Sequence, residues 1–285
     1  MRIPLAEREG YITRPLTGLG STYTNPMLFS WFRNRRRRKI TAEPFPPAWE
    51  AILQNNVGHL AFFSDTERNA LRRATQIFVA EKSFEGCRGQ PIDDEVRVTI
   101  AAEASILILG MSDFFFDNVQ TVLVYPDEFL VPDRRPIGDE LSVEGESVHL
   151  GEAHWHGPVI VAWNETLKGA RDPGYGQNLV FHEFAHQLDM LNGEPDGVPV
   201  IHEITLRHRW AEVMEREYDR LCEAADRHKK TLLDPYGATD EAEFFAVVTE
   251  CFFDLPWELE KRHADLYGVL RDYFNQDPAR WPRPV

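Results

Sequence analysis

The sequence predicts an α+β fold that is mostly helical, with a small mixed sheet beside one central helix. Three observations predict it. Most of the chain after residue 46 places hydrophobic residues at helical spacing, and short runs rich in β-branched residues are bounded by turn residues. One helical stretch also carries the pattern H-E-x-x-H. Together these features predict helices around a short sheet, with the candidate functional side chains on the central helix.

Composition narrows the class of protein. The chain has 285 residues, of which 43% are hydrophobic and 27% charged, as in a soluble globular protein with a substantial core. Its net charge of −15 argues against nucleic acid as the main partner. No apolar run approaches the roughly 18 residues that would predict a transmembrane segment. Three scattered cysteines fit neither a disulfide framework nor a C-x-x-C zinc site, so a cytoplasmic location is expected.

Residues 1–46 differ from the rest, because they lack periodicity and are expected to be flexible or poorly ordered. Residues 47–285 are then the folded domain. Within the first segment, the apolar residues 28–32 precede the basic run Arg33 to Lys39, which reverses the order of a secretory signal. Two interpretations stay open for this run: a membrane-surface anchor on anionic lipid, or a solvated tail. Met27 is also a candidate for the true start of the chain.

The elements follow from periodicity and from helix start and stop signals. Helices are predicted at residues 49–55, 65–84, 96–109, 178–191, 204–225, 240–253 and 261–274, and strands at 119–124, 144–150 and 159–163. Ser64 and Glu67 provide a capping box for the second helix. Asp172-Pro173-Gly174 is taken as the start signal before the fourth helix, and Asn192-Gly193 as its end.

The fourth helix carries the candidate metal ligands. His182 and His186 are one helical turn apart and project side by side, so both imidazoles can bind one metal ion. Glu183 lies about 100 degrees around the helix, where it can reach a metal-bound water without being a ligand. Asp189 falls on the histidine stripe. The opposite stripe is apolar and predicts contact with a core: Val180, Phe184, Leu188 and Leu191.

A catalytic zinc site needs a third protein ligand and one open position for water. Glu243 and Glu250 are the candidates, 57 and 64 residues after His186 and on one face of the same helix. Their spacing does not choose between them. His154 and His156 form an H-x-H pair with three possible roles: a further pair of ligands, residues that flank the substrate groove, or simply polar surface.

The segment from Tyr236 to Ala246 resembles one shared by two groups of metallopeptidases. One is the Mlc titration factor A family of bacterial zinc peptidases, and the other is the catalytic domain of anthrax lethal factor. In both, a tyrosine stands seven residues before a zinc-binding glutamate. The resemblance to the titration factor family covers nearly everything from Pro47 onward, whereas the lethal factor match covers only the two metal segments. The basic amino-terminal segment lies outside both.

This resemblance implies a zincin-like metallopeptidase fold with one Zn2+ per chain, held by His182, His186 and Glu243. It implies Glu183 as the general base and Tyr236 as the group that stabilises the oxyanion. Two further acids are expected to support the ligands from behind: Asp189, by accepting the second N–H of a histidine ligand, and Glu250. His154 and His156 are not part of the family pattern.

The resemblance also implies the function. The expectation is an aminopeptidase-like zinc peptidase that hydrolyses peptides through a zinc-activated water, with the strand at residues 159–163 aligning the extended substrate. The alternative is a regulatory binding protein with weak or latent peptidase activity, because the family is named for capturing the repressor Mlc. A transcriptional repressor is therefore a candidate partner, although no repressor-binding surface can be identified in the sequence.

Overall fold

The computed structural model describes residues 26–127 and 157–282. Its α-helices in these ranges are α1 (Pro26–Ala42), α2 (Pro47–Asn56), α3 (Asp65–Glu81), α4 (Asp94–Leu107), α5 (Trp163–Arg171), α6 (Leu179–Asp189), α7 (Ile204–Asp226), α8 (Glu241–Asp254), α9 (Pro256–Arg262) and α10 (Ala264–Phe274). Short 3-10 helices occur at Gly58–Phe62, Met190–Asn192, Pro235–Ala238 and Pro278–Arg280. The strands are β1 (Ser83–Gly86), β2 (Thr121–Tyr125) and β3 (Val159–Ala162). A mostly helical α+β architecture is thus confirmed.

The three described strands form one sheet in the order β1-β2-β3. Both pairings are parallel, with Phe84 opposite Val122 and Leu123 opposite Ile160. A mixed sheet was expected, but all the described strands run in the same direction. The strand predicted at residues 144–150 lies outside the described residues, as do His154 and His156.

Strand β1 was not predicted, because residues 65–84 looked like one continuous helix. The capping box starts α3 as expected: Ser64 Oγ accepts from the Glu67 N–H at 3.3 Å, and Ser64 N–H donates to Glu67 Oε2 at 2.7 Å. The helix ends earlier, since the backbone of Lys82 is extended. Ser83 then begins the strand beside β2.

Two other boundaries were wrong. Asp172-Pro173-Gly174 does not start α6, because an unpredicted helix, α5, ends at Arg171 and the cap of α6 is Asn178. The helix predicted at residues 261–274 is two helices. Pro256, a residue suited to the first helical turn, starts α9, and the non-helical backbone of His263 separates α9 from α10.

The core lies around α4, α6 and α8. Every α4 residue from Val96 to Leu107 is buried except Arg97. The apolar stripe of α6 faces inward as predicted, with Phe184 fully buried. Its ring packs against the rings of Phe116 and Phe78, with centroids 4.8 and 5.6 Å away. These contacts fix the helix that carries both histidines.

Packed structure begins before the predicted domain boundary at residue 47. Part of the segment expected to be flexible forms α1, and its Arg37 is buried with 5% exposure. Arg37 Nη2 lies 2.7 Å from Glu81 Oε2 and also pairs with Asp117. These ion pairs hold α1 against the body of the protein. Among the helices of the described ranges, none has both the length and the apolar character needed to cross a bilayer.

Candidate metal centre

The amino-terminal cap of α6 sets the position of both histidines. Asn178 Oδ1 accepts hydrogen bonds from the N–H groups of Val180 and Phe181, each at 3.1 Å, and so starts the helix with a strong cap. One and two turns further on, His182 and His186 project from the same side, with ring centroids 4.9 Å apart. The expected pairing of the two imidazoles is therefore present.

Helix α8 brings an acid to this pair. Asp240 caps α8 by accepting from the Glu243 N–H at 2.9 Å, which places Glu243 in the first turn. Glu243 Oε2 lies 3.0 Å from His182 Nε2 and 3.5 Å from His186 Nε2. The two Nε2 atoms are 3.3 Å apart. Three donor atoms from two helices thus converge on one point.

The spacing of these atoms fits a metal ion. Zinc binds histidine nitrogen and carboxylate oxygen at about 2.0–2.1 Å in a tetrahedron, whose ligand atoms are then about 3.3 Å apart. The three separations found here, 3.0, 3.3 and 3.5 Å, lie around that value. Within the described ranges, His182, His186 and Glu243 are also the cluster of His, Cys, Asp or Glu side chains close enough together to hold an ion.

Without a cation, His182 and Glu243 form a charged pair, with the proton on the histidine. Burial opposes a charge on His182, but its hydrogen bonds to the Glu243 and Glu250 carboxylates outweigh that effect and raise the pKa of His182 to about 10. Burial likewise opposes ionisation of Glu243, yet its two histidine neighbours hold the pKa of this carboxyl well below its usual range. A divalent cation bound here would displace the shared proton, so metal binding should depend on pH.

Glu250 lies behind the cluster. The Nδ1–H of His182 donates to Glu250 Oε1 at 2.8 Å, on the far side of the ring from Glu243. The other oxygen, Oε2, accepts the backbone N–H of Asn178 at 2.6 Å. Glu250 therefore fixes the tautomer that leaves the His182 Nε2 lone pair free for a cation. Of the two candidate acids, Glu243 joins the cluster and Glu250 orients a histidine.

A second buried acid, Glu103, extends this support and was missed in the sequence. Asn178 Nδ2 donates to Glu103 Oε2 at 2.7 Å, so three hydrogen bonds connect α4 through Asn178 and Glu250 to His182. Glu103 is fully buried, and burial raises its pKa to about 7 despite the opposing charge of His59. The available signal was a single acid inside the apolar run of α4.

Asp189 does not take the role that was expected for it. Its Oδ2 accepts the backbone N–H of Gly197 at 2.8 Å, rather than the N–H of a histidine. The reason is local: the chain after α6 turns back, and Gly197 adopts a positive φ of 74° that brings its N–H to this carboxylate. Burial raises the pKa of Asp189 to about 7. Asp189 thus fastens the loop that follows α6.

The remaining two predicted residues border the cluster. Burial raises the pKa of the Glu183 carboxyl, opposed by the positive charges of His182 and His186. Tyr236 lies in the 3-10 helix before α8, is 54% exposed, and has its ring centroid 6.0 Å from that of His182. Partial burial and the charge of Glu243 raise the pKa of Tyr236 to about 12, so its hydroxyl keeps its proton at neutral pH.

The fold and this cluster define a class: mostly helical α+β proteins with an H-E-x-x-H helix and a nearby glutamate. Comparison with known proteins names the family within it. A family model described as glucose-regulated metallo-peptidase M90 matches residues 31–275, and the chain belongs to this family. Membership in a metallopeptidase family implies a metal ion, and the His182, His186 and Glu243 cluster is a possible site for it.

Individual relatives agree with this assignment. A Synechocystis protein described as uncharacterized protein slr2042 is 38% identical over 245 residues, covering 85% of this chain and 89% of its own. The Mlc titration factor A of Pectobacterium atrosepticum is 32% identical, with coverages of 81% and 86%. That of Cronobacter sakazakii is 31% identical, with coverages of 84% and 89%. The similarity extends across the fold and well beyond the H-E-x-x-H stretch.

Proposed function

We propose that this protein is a zinc-dependent peptidase in which His182, His186 and Glu243 hold the ion. The observation that carries the proposal is the convergence of three donor atoms at tetrahedral spacing, with Glu183 next to one of the ligands. Zn2+ at this point would polarise the scissile carbonyl and lower the pKa of a water molecule toward about 7. Two histidines and one carboxylate are a donor set of known catalytic zinc sites.

Glu183 and Tyr236 supply the proton chemistry. The Glu183 carboxylate accepts a proton from the attacking water and delivers it to the leaving amine, a role that suits a carboxyl whose pKa is raised by burial. The Tyr236 hydroxyl, which stays protonated at neutral pH, donates a hydrogen bond to the oxyanion of the tetrahedral intermediate. Its half-exposed position leaves room for it to move toward a substrate.

The proposed substrate is a short, extended peptide with a free amino terminus, cleaved in a reducing cytoplasm. Strand β3 is an outer strand of the described sheet and exposes 42% of Ile160, so it supports alignment of a peptide strand beside the cluster. A reducing compartment is supported by the three cysteines, which are all free thiols. The aminopeptidase preference is drawn from the family resemblance.

A second candidate function is capture of a transcriptional repressor. It is favoured by the names of relatives that match over most of the chain, which are called Mlc titration factor A. A binding protein of this kind could keep the metal centre as a structural element with weak activity. The two functions separate experimentally, because repressor capture needs neither Glu183 as a base nor turnover.

The first experiment measures metal content and hydrolysis of an alanine-type aminopeptidase substrate, with and without chelator. We expect one zinc per chain and chelator-sensitive turnover. Glu183→Gln should keep its zinc but lower kcat by at least about a hundredfold, the scale of losing a general base. The matched control Glu165→Gln removes a partly exposed acid on α5, whose carboxylate lies 3.4 Å from Lys168 Nζ, and should match the wild type.

Each other outcome has a defined meaning. Zinc without turnover in the wild type would reject the peptidase and favour the binding protein, which a pull-down with the purified repressor then tests. Turnover that survives Glu183→Gln would reject the assigned base. A chain without stoichiometric metal would reject the proposed centre itself.

A further inference from the structure

Helix α1 has an inner edge that is fixed to the protein. Arg37 is buried and pairs with Glu81 and Asp117, and Arg33 Nη1 lies 2.9 Å from Asp117 Oδ2. The Arg37 guanidinium also covers the ring of Phe115, with Cζ 4.5 Å from its centroid. The ion pairs use two of the six basic residues of the run and set which side of the helix faces away from the body. Arg36, at the edge of that side, also donates from Nη2 to the backbone carbonyl oxygen of Ala80 at 3.2 Å.

The outer face carries the other four cations: Arg35, Arg36, Arg38 and Lys39. All four are exposed, and in the part of the chain that the structure describes none of them pairs with a carboxylate. Trp31 and Phe32 lie on the same face, with 47% and 62% exposure. At about 100° per residue, these six side chains occupy an arc of roughly 160°. We call this set of six residues the outer face of α1.

Charge is distributed very unevenly between this helix and the rest of the chain. Residues 31–39 contain six basic residues and no acidic one, for a local charge of +6. Since the whole chain has a net charge of −15, the remaining residues sum to −15 − 6 = −21. Such asymmetry is typical of a segment that binds an anionic surface while the rest of the molecule stays away from it.

We propose that the outer face of α1 binds the surface of a bilayer containing anionic phospholipid. Cations there would lie at the phosphate level, and the rings of Trp31 and Phe32 would enter the interface, where aromatic side chains are favoured. The helix would lie along the membrane surface, consistent with the lack of a spanning helix in the described ranges. The metal centre plays no part in this binding.

Two other occupants fit less well. Single-stranded nucleic acid is usually bound in a basic groove with separate aromatic platforms for its bases. Here the cations lie along a single helix, and the Trp31 and Phe32 rings pack edge to face with centroids 4.9 Å apart. Residues 1–25 could cover the face instead, but they are not anionic. Their three arginines outnumber their two glutamates, a net charge of +1.

The expected affinity is moderate and depends on salt. Each Lys or Arg near an anionic membrane surface strengthens binding about fivefold, so the four outer cations together contribute on the order of several hundredfold. Two interfacial aromatic side chains add an apolar contribution, which gives the two signals that reversible membrane binding needs. Salt screens the electrostatic part within a Debye length of about 10 Å at 0.1 M.

The test is co-sedimentation of the purified full chain with vesicles at 100 mM and 500 mM salt. We expect binding to vesicles of 30% phosphatidylglycerol in phosphatidylcholine at the lower salt, and at least about tenfold weaker binding to pure phosphatidylcholine. Changing Arg35, Arg36, Arg38 and Lys39 together to Gln should weaken binding by at least about a hundredfold. Trp31→Ser with Phe32→Ser should weaken it less and leave the salt dependence intact.

A matched control removes four exposed cations elsewhere, by changing Arg220, Arg227, Lys229 and Lys230 to Gln. This control has the same net charge as the outer-face variant and should bind like the wild type. Glutamine is a good helix former, so α1 should persist, which far-ultraviolet circular dichroism checks. Equal loss in both four-residue variants would overturn the proposal, and so would equal binding to neutral vesicles. Binding to single-stranded RNA but not to vesicles would reject a membrane in favour of nucleic acid.

Discussion

The two ends of α6 hold neighbouring histidines in different ways. At the amino-terminal end, His182 is hydrogen-bonded on its far nitrogen to Glu250, which is itself tied to the Asn178 backbone. One turn later, the polar contacts of His186 within the described residues lie inside the cluster itself, to His182 and Glu243. The carboxyl-terminal end is instead fastened to the loop that follows it, because the backbone N–H of Gly197 donates to the Asp189 carboxylate.

This difference means that the rings of His182 and His186 are oriented by different means. The ring of His182 is oriented by the protein before any metal binds, because both of its ring nitrogens already have carboxylate partners. The ring of His186 has polar partners among the described residues only inside the cluster, and it would be fixed by the ion. A site of this kind is half preorganised, and we expect its metal affinity to depend strongly on the acids behind His182.

The largest expected effect distinguishes a ligand from the acid that supports it. Glu243→Ala should weaken zinc binding by more than about a hundredfold, whereas Glu250→Ala should weaken it by about 10–100-fold, the range typical of lost outer partners. Competition with a chromophoric zinc chelator measures both affinities. Glu241→Ala removes an acid from the same first turn of α8 and should change affinity little. A larger loss in Glu250→Ala than in Glu243→Ala would reverse our assignment of the two acids.

A smaller effect, on the free energy of unfolding, is expected at Glu103, which is linked to His182 through Asn178 and Glu250. Its pKa is about 7 when folded and 4.5 as a free side chain. The folded state therefore binds a proton that the unfolded state has already lost. This contribution to the free energy of unfolding is complete below pH 4.5 and disappears as the pH rises through about 7. At 1.36 kcal/mol per pKa unit, the full change is at most about 3 kcal/mol.

Glu103→Gln removes this ionisation and keeps the shape of the side chain. Urea unfolding of the metal-free protein at pH 5 and pH 8 should show the variant gaining up to about 3 kcal/mol relative to the wild type at the higher pH. Glu212→Gln, an exposed position on α7, serves as the control and should follow the wild type at both pH values. A Glu103→Gln curve parallel to the wild type would mean that Glu103 is already ionised in the folded protein.

Helix positions were predictable from sequence where periodicity and capping agreed. Ser64 and Glu67 marked the start of α3, and the apolar stripe through Phe184 identified the buried side of α6. Elements were missed where a short segment had to choose its partner through tertiary contacts. Strand β1 has four residues and is defined by its pairing with β2, and no local sequence pattern predicts that pairing. The zincin-like fold itself stays a prediction.

In the candidate site, the sequence indicated which residues could meet but left their hydrogen bonds open. Seven-residue spacing put Glu243 and Glu250 on one face of α8. Only the packing of α8 against α6 decides that Glu243 contacts Nε2 of His182 and Glu250 contacts Nδ1. The same limitation explains Asp189. It lies on the histidine stripe as expected, but the loop that returns to it depends on the backbone of Gly197, which periodicity does not describe.

The smallest expected effect tests the carboxyl-terminal end of α6. Asp189→Asn should leave zinc affinity within about threefold of the wild type, because the amide oxygen can still accept from Gly197 and no histidine loses a partner. Glu250→Gln should weaken affinity by at least about tenfold, because its amide nitrogen would face either the Asn178 N–H or the His182 Nδ1–H, donor against donor. Both variants replace a buried carboxylate by an isosteric amide, so a difference in zinc affinity between them reports which partners each carboxylate contacts. Equal losses of zinc affinity would mean that Asp189 also supports the cluster, and that the two ends of α6 do not differ in the way proposed.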